Sequence, residues 1–160
     1  HHRAGLVRRG VHAVGGGVRG VVVADGTRPA WPAASFDRVL VDAPCSGLGA
    51  LRRRPESRWR RTPGDVLDLV PLQQRLLDAA VASTRPGGLV LYATCSPVLA
   101  ETRDVARTVL SDREDVLLED LTVVGALADL DARGPIPGTV QLWPHRHGTD
   151  AMFMALLRRT

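Results

Sequence analysis

Two short apolar runs set the plan of the chain. Residues 36–41 (Phe-Asp-Arg-Val-Leu-Val) end at Asp42-Ala43-Pro44-Cys45-Ser46-Gly47, and residues 89–93 (Leu-Val-Leu-Tyr-Ala) end at Thr94-Cys95-Ser96. Runs that are nearly continuous rather than alternating predict strands covered on both faces, as in a parallel sheet. Between them Leu72, Leu76, Ala79, Ala80 and Ser83 recur at helical spacing. That spacing predicts a helix opening at Pro71 and closing at Arg85-Pro86-Gly87-Gly88. Ser96-Pro97 offers a cap and a first-turn position for a second helix through about residue 110, with Val98, Val105 and Val109 on its apolar side.

Outside this central unit the pattern predicts a helical segment at 3–9 stopped by Gly10, and a strand at 18–24 that ends at Asp25-Gly26. A loop runs through Trp31-Pro32, and the segment from Gly47 to Pro63-Gly64 has no clean period, so it reads as loop with short helical pieces. A short strand is predicted at 116–118, a loop-rich stretch at 125–138, and two closing strands at 139–143 and 151–157, joined by Pro144-His145-Arg146-His147-Gly148. Strands alternating with helices and closed by a strand pair imply an α/β sheet, mostly parallel with an antiparallel end. No repeat or second domain is visible. An opening segment that starts mid-helix without a cap suggests a piece of a longer chain.

Composition narrows the class. In 160 residues, 44% apolar content and near-zero mean hydropathy describe one globular domain with a substantial core. No run is long enough to span a bilayer. The first residues lack the apolar core of a secretory leader, so a cytoplasmic protein without a membrane partner is expected. Two cysteines without CxxC spacing make neither a disulfide framework nor a zinc site by count, and no metal is expected.

Charge adds a partner class. The formal net charge is +4, and all 21 cationic residues are arginines. Arg52, Arg53, Arg54, Arg58, Arg60 and Arg61 crowd into ten positions directly after the first cysteine motif. A charge run alone reads as a solvated surface. Beside a candidate site, guanidinium forks match phosphates, which points to nucleic acid.

The candidate chemistry sits where the two runs end. Ligands of open parallel sheets bind outside the carboxyl ends of the strands, so Asp42 with Cys45, and Cys95, can face one site. A cysteine reacts as its thiolate, and the helix start predicted after Cys95 would favour that form. A lone free cysteine is more often a small buried apolar residue; two at matching strand ends, each followed by serine, favour function. Asp25 either makes a turn or meets a ribose or adenine at its strand edge. Gly15-Gly16-Gly17 precedes rather than follows a strand, so it reads as a flexible turn and not as a phosphate cradle. His145 and His147 read as loop residues or phosphate contacts rather than metal ligands. Trp31 and Trp143 read as packing, and Trp59, among arginines, either packs or stacks on an unpaired base.

The segment Phe36-Asp37-Arg38-Val39-Leu40-Val41-Asp42-Ala43-Pro44-Cys45-Ser46-Gly47-Leu48-Gly49, continuing through Arg52-Arg53-Arg54-Pro55-Glu56 to Trp59, resembles the RNA 5-methylcytosine methyltransferases, above all the bacterial small-subunit ribosomal RNA branch. Gln73, Pro86-Gly87-Gly88, Tyr92-Ala93-Thr94-Cys95-Ser96 and Glu101 follow in matching order. The closing Gly148-Thr149-Asp150-Ala151-Met152-Phe153 resembles the family's final Asp-Gly-Phe-Phe strand, with Ala151 and Met152 as departures.

The resemblance implies a Rossmann-like S-adenosylmethionine-dependent fold and a division of labour. Cys95 would add to carbon 6 of a cytosine, making carbon 5 nucleophilic. Asp42 would steady the protonated ring nitrogen, helped by the backbone of Pro44. Cys45 would assist loss of the carbon 5 proton and release of the enzyme. Arg52, Arg53 and Arg54 would meet the ribosomal RNA. Asp25 and Asp42 would contact the cofactor, and Arg3 matches an arginine near the family's second cofactor segment. The family's Gly-rich cofactor loop, its ribose-binding acid and its RNA-binding domain match nothing in residues 1–160. The expectation is therefore an incomplete sheet, the carboxyl-terminal portion of one catalytic domain, binding S-adenosylmethionine weakly or not at all by itself. The alternatives are a catalytically silent RNA-binding fragment and an amino-group methyltransferase. The latter places an aromatic residue where Cys45 stands.

Overall fold

The structure is a computed structural model and describes residues 5, 7, 8, 10, 11 and 17–160. The expectations placed on Arg3, Gly15 and Gly16 lie outside the described residues. Five strands form one sheet: β1 (Phe36–Asp42), β2 (Thr84–Thr94), β3 (Val116–Glu119), β4 (Val140–Gln141) and β5 (Phe153–Arg159). The order is β1-β2-β5-β3, with β4 also paired to β5. β1 and β2 pair in parallel, while β5 runs antiparallel to β2, β3 and β4. Four strands therefore point one way and β5 the other, the expected α/β sheet.

Four fully described α-helices accompany it: α1 (Ser57–Arg60), α2 (Pro63–Ser83), α3 (Arg103–Asp112) and α4 (Pro144–His147). α2 begins eight residues before the predicted Pro71 because Thr62 and Asp65 close a capping box around Pro63 at the first helical position. Such a cap stabilises a helix start by about 1 kcal/mol. Pro71 then sits inside the helix on an exposed turn, where the Leu67 carbonyl it cannot bond faces water. The face that packs inward carries the expected Ala79, Ala80 and Ser83, joined by Gln73, Leu77 and Val81 in place of Leu72 and Leu76.

Two further boundaries differ from expectation. Arg85-Pro86-Gly87-Gly88 belongs to β2 instead of forming a separate turn. The ladder passes from Phe36↔Thr84 to Arg38↔Leu89, five steps along β2 against two along β1, so these residues form an irregularity within the strand. Ser96-Pro97 does not start a helix. A 3-10 turn at Leu99–Glu101 intervenes, and α3 opens only at Arg103.

The strand expected at 18–24 is not formed; Val22 and Val23 are exposed, and no strand among the described residues pairs with this segment. β1 is likewise not covered on both faces: Val39 and Val41 pack against the core while Leu40 is 65% exposed. Of the early helical segment, Gly5, Val7, Arg8, Gly10 and Val11 are helical, so Gly10 is not its stop.

Packing explains why the strand ends are held firmly. Leu77, Val81, Val90, Tyr92, Val105 and Phe153 form the centre of the main core between α2, α3 and the sheet. Fully burying a side chain such as Leu77 contributes roughly 1.5–3 kcal/mol. Tyr92 meets Phe153 edge-on at 6.2 Å across the β2–β5 ladder. The opposite sheet face is covered by the segment after β3, where Leu121, Ala132 and Val140 pack with Leu91 and Met154.

Candidate active site

Register brings the two cysteine motifs together. Asp42 pairs with Ala93 at the ends of β1 and β2, and Ala43 N–H donates to Ala93 O at 3.0 Å. Both chains then leave the sheet side by side. Gly47 takes a left-handed conformation (φ 73°) that folds the first motif back, and Gly49 N–H donates to Cys95 O at 3.0 Å. Gly49 O in turn accepts from Ala151 N–H at 2.9 Å. A Cβ at Gly49 would lie 2.8 Å from the Cys95 carbonyl and closer still to Ala151 O, so only glycine allows this approach.

The result is a Cys45 Sγ–Cys95 Sγ distance of 3.4 Å, with both thiols free and half-buried. They line a cleft of about 550 Å³ together with Asp42, Arg53, Arg54 and Arg61. Pro44 lines it too; its carbonyl already accepts from Gln73 Nε2 at 2.8 Å, which leaves one lone pair for a substrate.

The two thiols are not equivalent. The Cys95 thiol is drawn down to about 7, first by the hydrogen bond from Cys45 and then by a backbone bond, against burial and the charges of Asp42 and Asp150. The same hydrogen bond, together with burial and the charge on Cys95, pushes the Cys45 thiol far up. The shared proton is thus favoured on Cys45 and the thiolate on Cys95. This preference arises from a neighbouring thiol. The expected helix dipole does not supply it, because no helix starts at Ser96.

The other expected site residues divide. Arg52 Nε donates to Asp150 Oδ1 at 2.8 Å and Arg53 Nε to Asp150 Oδ2 at 2.8 Å, so one carboxylate anchors two guanidiniums at the cleft rim. Its carboxyl is held below the usual range by these bonds, that of Arg53 foremost. Arg54 lines the cleft, and Arg61 Nε donates to Ser46 O at 2.9 Å. Asp25 serves a turn: its Oδ1 accepts from Thr27 N–H at 2.9 Å and from Thr27 Oγ1 at 2.8 Å. His147 Nδ1 accepts from Trp143 N–H at 2.9 Å within its loop, and Trp59 is 83% exposed on α1. Trp31 packs edge-on against Phe36 and donates to Ser83 Oγ at 3.0 Å. Among the described residues no group of three or more His, Cys, Asp or Glu is placed to hold a metal, and no helix is long and apolar enough to cross a membrane.

Sequence reading assigned no role to Glu101, Gln73 or Asp150, yet these side chains organise the site. Glu101 is fully buried and binds the residues that follow both cysteines, Ser46 and Ser96. The available signal is chemical: an acid shortly after a cysteine motif, in a stretch that folds inward, needs partners.

The residues present fit one side of a methyl-donor cofactor. Asp42 borders both the cysteine cleft and a second hollow of about 230 Å³ lined by Gly26, Trp31, Val41 and Leu76. A carboxylate at that border suits a cationic sulfonium compound or its hydroxyl and amino groups, and an apolar hollow beside it suits a flat ring.

A family model described as 16S rRNA methyltransferase RsmB/F matches residues 1–158. The chain belongs to this RsmB/F family. Rv1407 of Mycobacterium tuberculosis is 60% identical over 124 residues, which cover 78% of the chain and 26% of that protein. The ribosomal RNA small subunit methyltransferase B of Sodalis glossinidius is 44% identical over 102 residues, or 62% of the chain and 24% of the relative. The chain therefore spans about a quarter of the curated relatives it matches. Among solved structures, PH0851 superposes with a TM-score of 0.73 at 35% identity, covering 79% of the chain and 27% of that protein. NSun6 from Pyrococcus horikoshii with SFG superposes with a TM-score of 0.61 at 27% identity, covering 75% and 29%. These matches confirm the expected methyltransferase fold for the RsmB/F chain.

Proposed function

We propose that residues 1–160 are the carboxyl-terminal portion of a catalytic domain that methylates carbon 5 of a cytosine in 16S ribosomal RNA through a covalent adduct on Cys95. The observation that supports this most is the thiol pair at 3.4 Å, in which the hydrogen bond lowers the Cys95 thiol and raises that of Cys45. Carbon 5 of cytosine is a weak nucleophile, and adding a thiolate to carbon 6 makes it enamine-like. Cys95 supplies the thiolate. Asp42, at the rim of the same cleft, would steady the ring nitrogen as it takes up a proton from water, and the free lone pair of Pro44 O would accept from the exocyclic amine.

Asp42 and the hollow beside it would hold S-adenosylmethionine, which would supply the electrophilic methyl group; Asp25, bound within its own turn, lies outside that hollow's lining. Once Cys95 is a thioether it no longer carries the charge that holds the proton on Cys45, so Cys45 passes that proton to water in the open cleft. As a thiolate, Cys45 then accepts the proton from carbon 5, and expulsion of Cys95 restores the aromatic ring. Arg54 and Arg61, with the anchored Arg52 and Arg53, make the cleft positive for the RNA backbone.

The test is methyl transfer by the full-length protein to 16S ribosomal RNA from labelled S-adenosylmethionine, followed by nucleoside analysis. The label is expected on carbon 5 of cytidine. Label on an exocyclic amine would favour amino-group chemistry, and RNA binding without label a silent RNA-binding piece; either result overturns the proposal.

A further inference from the structure

We propose that Glu101 is the positioning residue that sets the separation of the two reactive thiols. The inference deepens the reading above, since it assumes that Cys95 and Cys45 divide the reaction. Glu101 touches neither sulfur and does not line the cleft. It lies at the end of the 3-10 turn after β2, with no exposed surface.

Four donors converge on its carboxyl group. Oε1 accepts from Ser46 N–H at 2.7 Å and from Gln73 Nε2 at 3.1 Å. Oε2 accepts from Ser46 Oγ at 2.5 Å and from Ser96 Oγ at 2.6 Å. Ser46 follows Cys45 and Ser96 follows Cys95, so one side chain ties together the residues next to both thiols. Gln73 extends the tie to the other side of Cys45 through Pro44 O, and Tyr92 Oη fixes the turn itself by donating to Glu101 O at 2.7 Å.

The consequence is energetic as well as geometric. A hydrogen bond to sulfur weakens steeply with distance, so the effect of Cys45 on Cys95 depends on the 3.4 Å separation. A buried carboxyl group with both oxygens doubly satisfied does not move freely, and the loops bound to it share its rigidity. Losing the carboxyl leaves Ser46 N–H without an acceptor, leaves the two hydroxyls only each other, and reduces the Gln73 amide to Pro44 O, so the two motifs can part. Glutamine keeps one acceptor oxygen for Ser46 N–H and Gln73, while its amide can donate to hydroxyls that turn to accept.

The test reads Cys95 directly in the full-length protein: the pH dependence of its alkylation by iodoacetamide, followed by mass spectrometry of each cysteine peptide. Cys45, Asp42 and Asp150 act on this thiol, and its charge in turn acts on Arg53. Wild type is expected to titrate near 7. Glu101→Ala is expected to move the midpoint up towards the ordinary thiol value of about 8.5, slowing alkylation at neutral pH roughly tenfold. Glu101→Gln is expected to restore most of it.

Adding Cys45→Ala should raise the midpoint in wild type and have little further effect in Glu101→Ala, a non-additivity that general loosening does not produce. Should Glu101→Ala fail to fold, Ser96→Ala removes a single leg of the network and should give a smaller upward shift. An unchanged midpoint in folded Glu101→Ala, or in Ser96→Ala when that variant stands in, overturns the proposal. So does full additivity with Cys45→Ala. Because the titration needs no RNA and no methyl donor, it stands apart from the reaction assignment: activity retained by Cys95→Ala would sink the assignment while leaving the alkylation result to judge Glu101.

Discussion

At the scale of single residues, the site turns on how two identical side chains acquire opposite protonation. Cys45 and Cys95 share one hydrogen bond, and the half-buried pair cannot easily carry two charges. The bond favours the thiolate on Cys95, whose value lies near 7. Its sign fixes a pH dependence. Above about 7 the thiolate is present, and as pH falls through that value it is lost. Alkylation of Cys95 should therefore follow a single titration centred near neutrality, with Cys45 labelled far more slowly. Cys45→Ala should move the Cys95 midpoint upward. A Cys95 midpoint at or above the ordinary thiol value of about 8.5 in wild type would contradict the assigned proton.

That the two cysteine motifs meet at one cleft was legible from sequence because each follows an apolar run that ends as a strand. The source of the activation was not. A thiol–thiol contact between residues fifty positions apart leaves no local pattern, whereas Ser96-Pro97 is a ready but misleading helix signal.

At the scale of elements, close approach of backbone segments does what side chains alone cannot. Gly49 lets the loop after β1 rest on the chain leaving β2 and on Ala151, two residues before β5, joining three strand ends by backbone hydrogen bonds. Gly49→Ala forces that junction apart and should cost about 1–3 kcal/mol, the usual range for overpacking. Urea unfolding should show a lowered midpoint without a change in slope. A neutral substitution would mean that the junction is looser than its geometry. The onset of α2 was misread for a local reason: Pro71 is a strong start signal, but the Thr62/Asp65 box satisfies the first helix donors earlier. The inward face was read in part: Ala79, Ala80 and Ser83 are buried as expected, while Gln73 and Leu77 take the inward positions given to Leu72 and Leu76.

At the scale of the whole molecule, the sheet presents its parallel strand ends, β1 and β2, to a cleft whose rim is arginine-rich, while β5 closes the far side of β2. The alternation of strands and helices was legible because buried strands and an amphipathic helix leave distinct periods. The coverage of β1 was not, because an apolar run reports a preference for burial and not the presence of a covering layer; Leu40 has the composition of a core residue and an exposed position. The fate of the arginines was equally invisible. Arg52 and Arg53 are drawn to Asp150, nearly a hundred residues away in sequence, which turns two mobile charges into a fixed part of the wall.

The central claim, that the thiols attack and release in turn, is tested most directly by trapping. Full-length Cys45→Ala, incubated with 16S ribosomal RNA and S-adenosylmethionine, should accumulate a protein–RNA adduct that survives denaturing electrophoresis, because attack by Cys95 proceeds while release fails. Cys95→Ala should give no adduct. Equal trapping by both variants, or trapping by Cys95→Ala alone, would contradict the account.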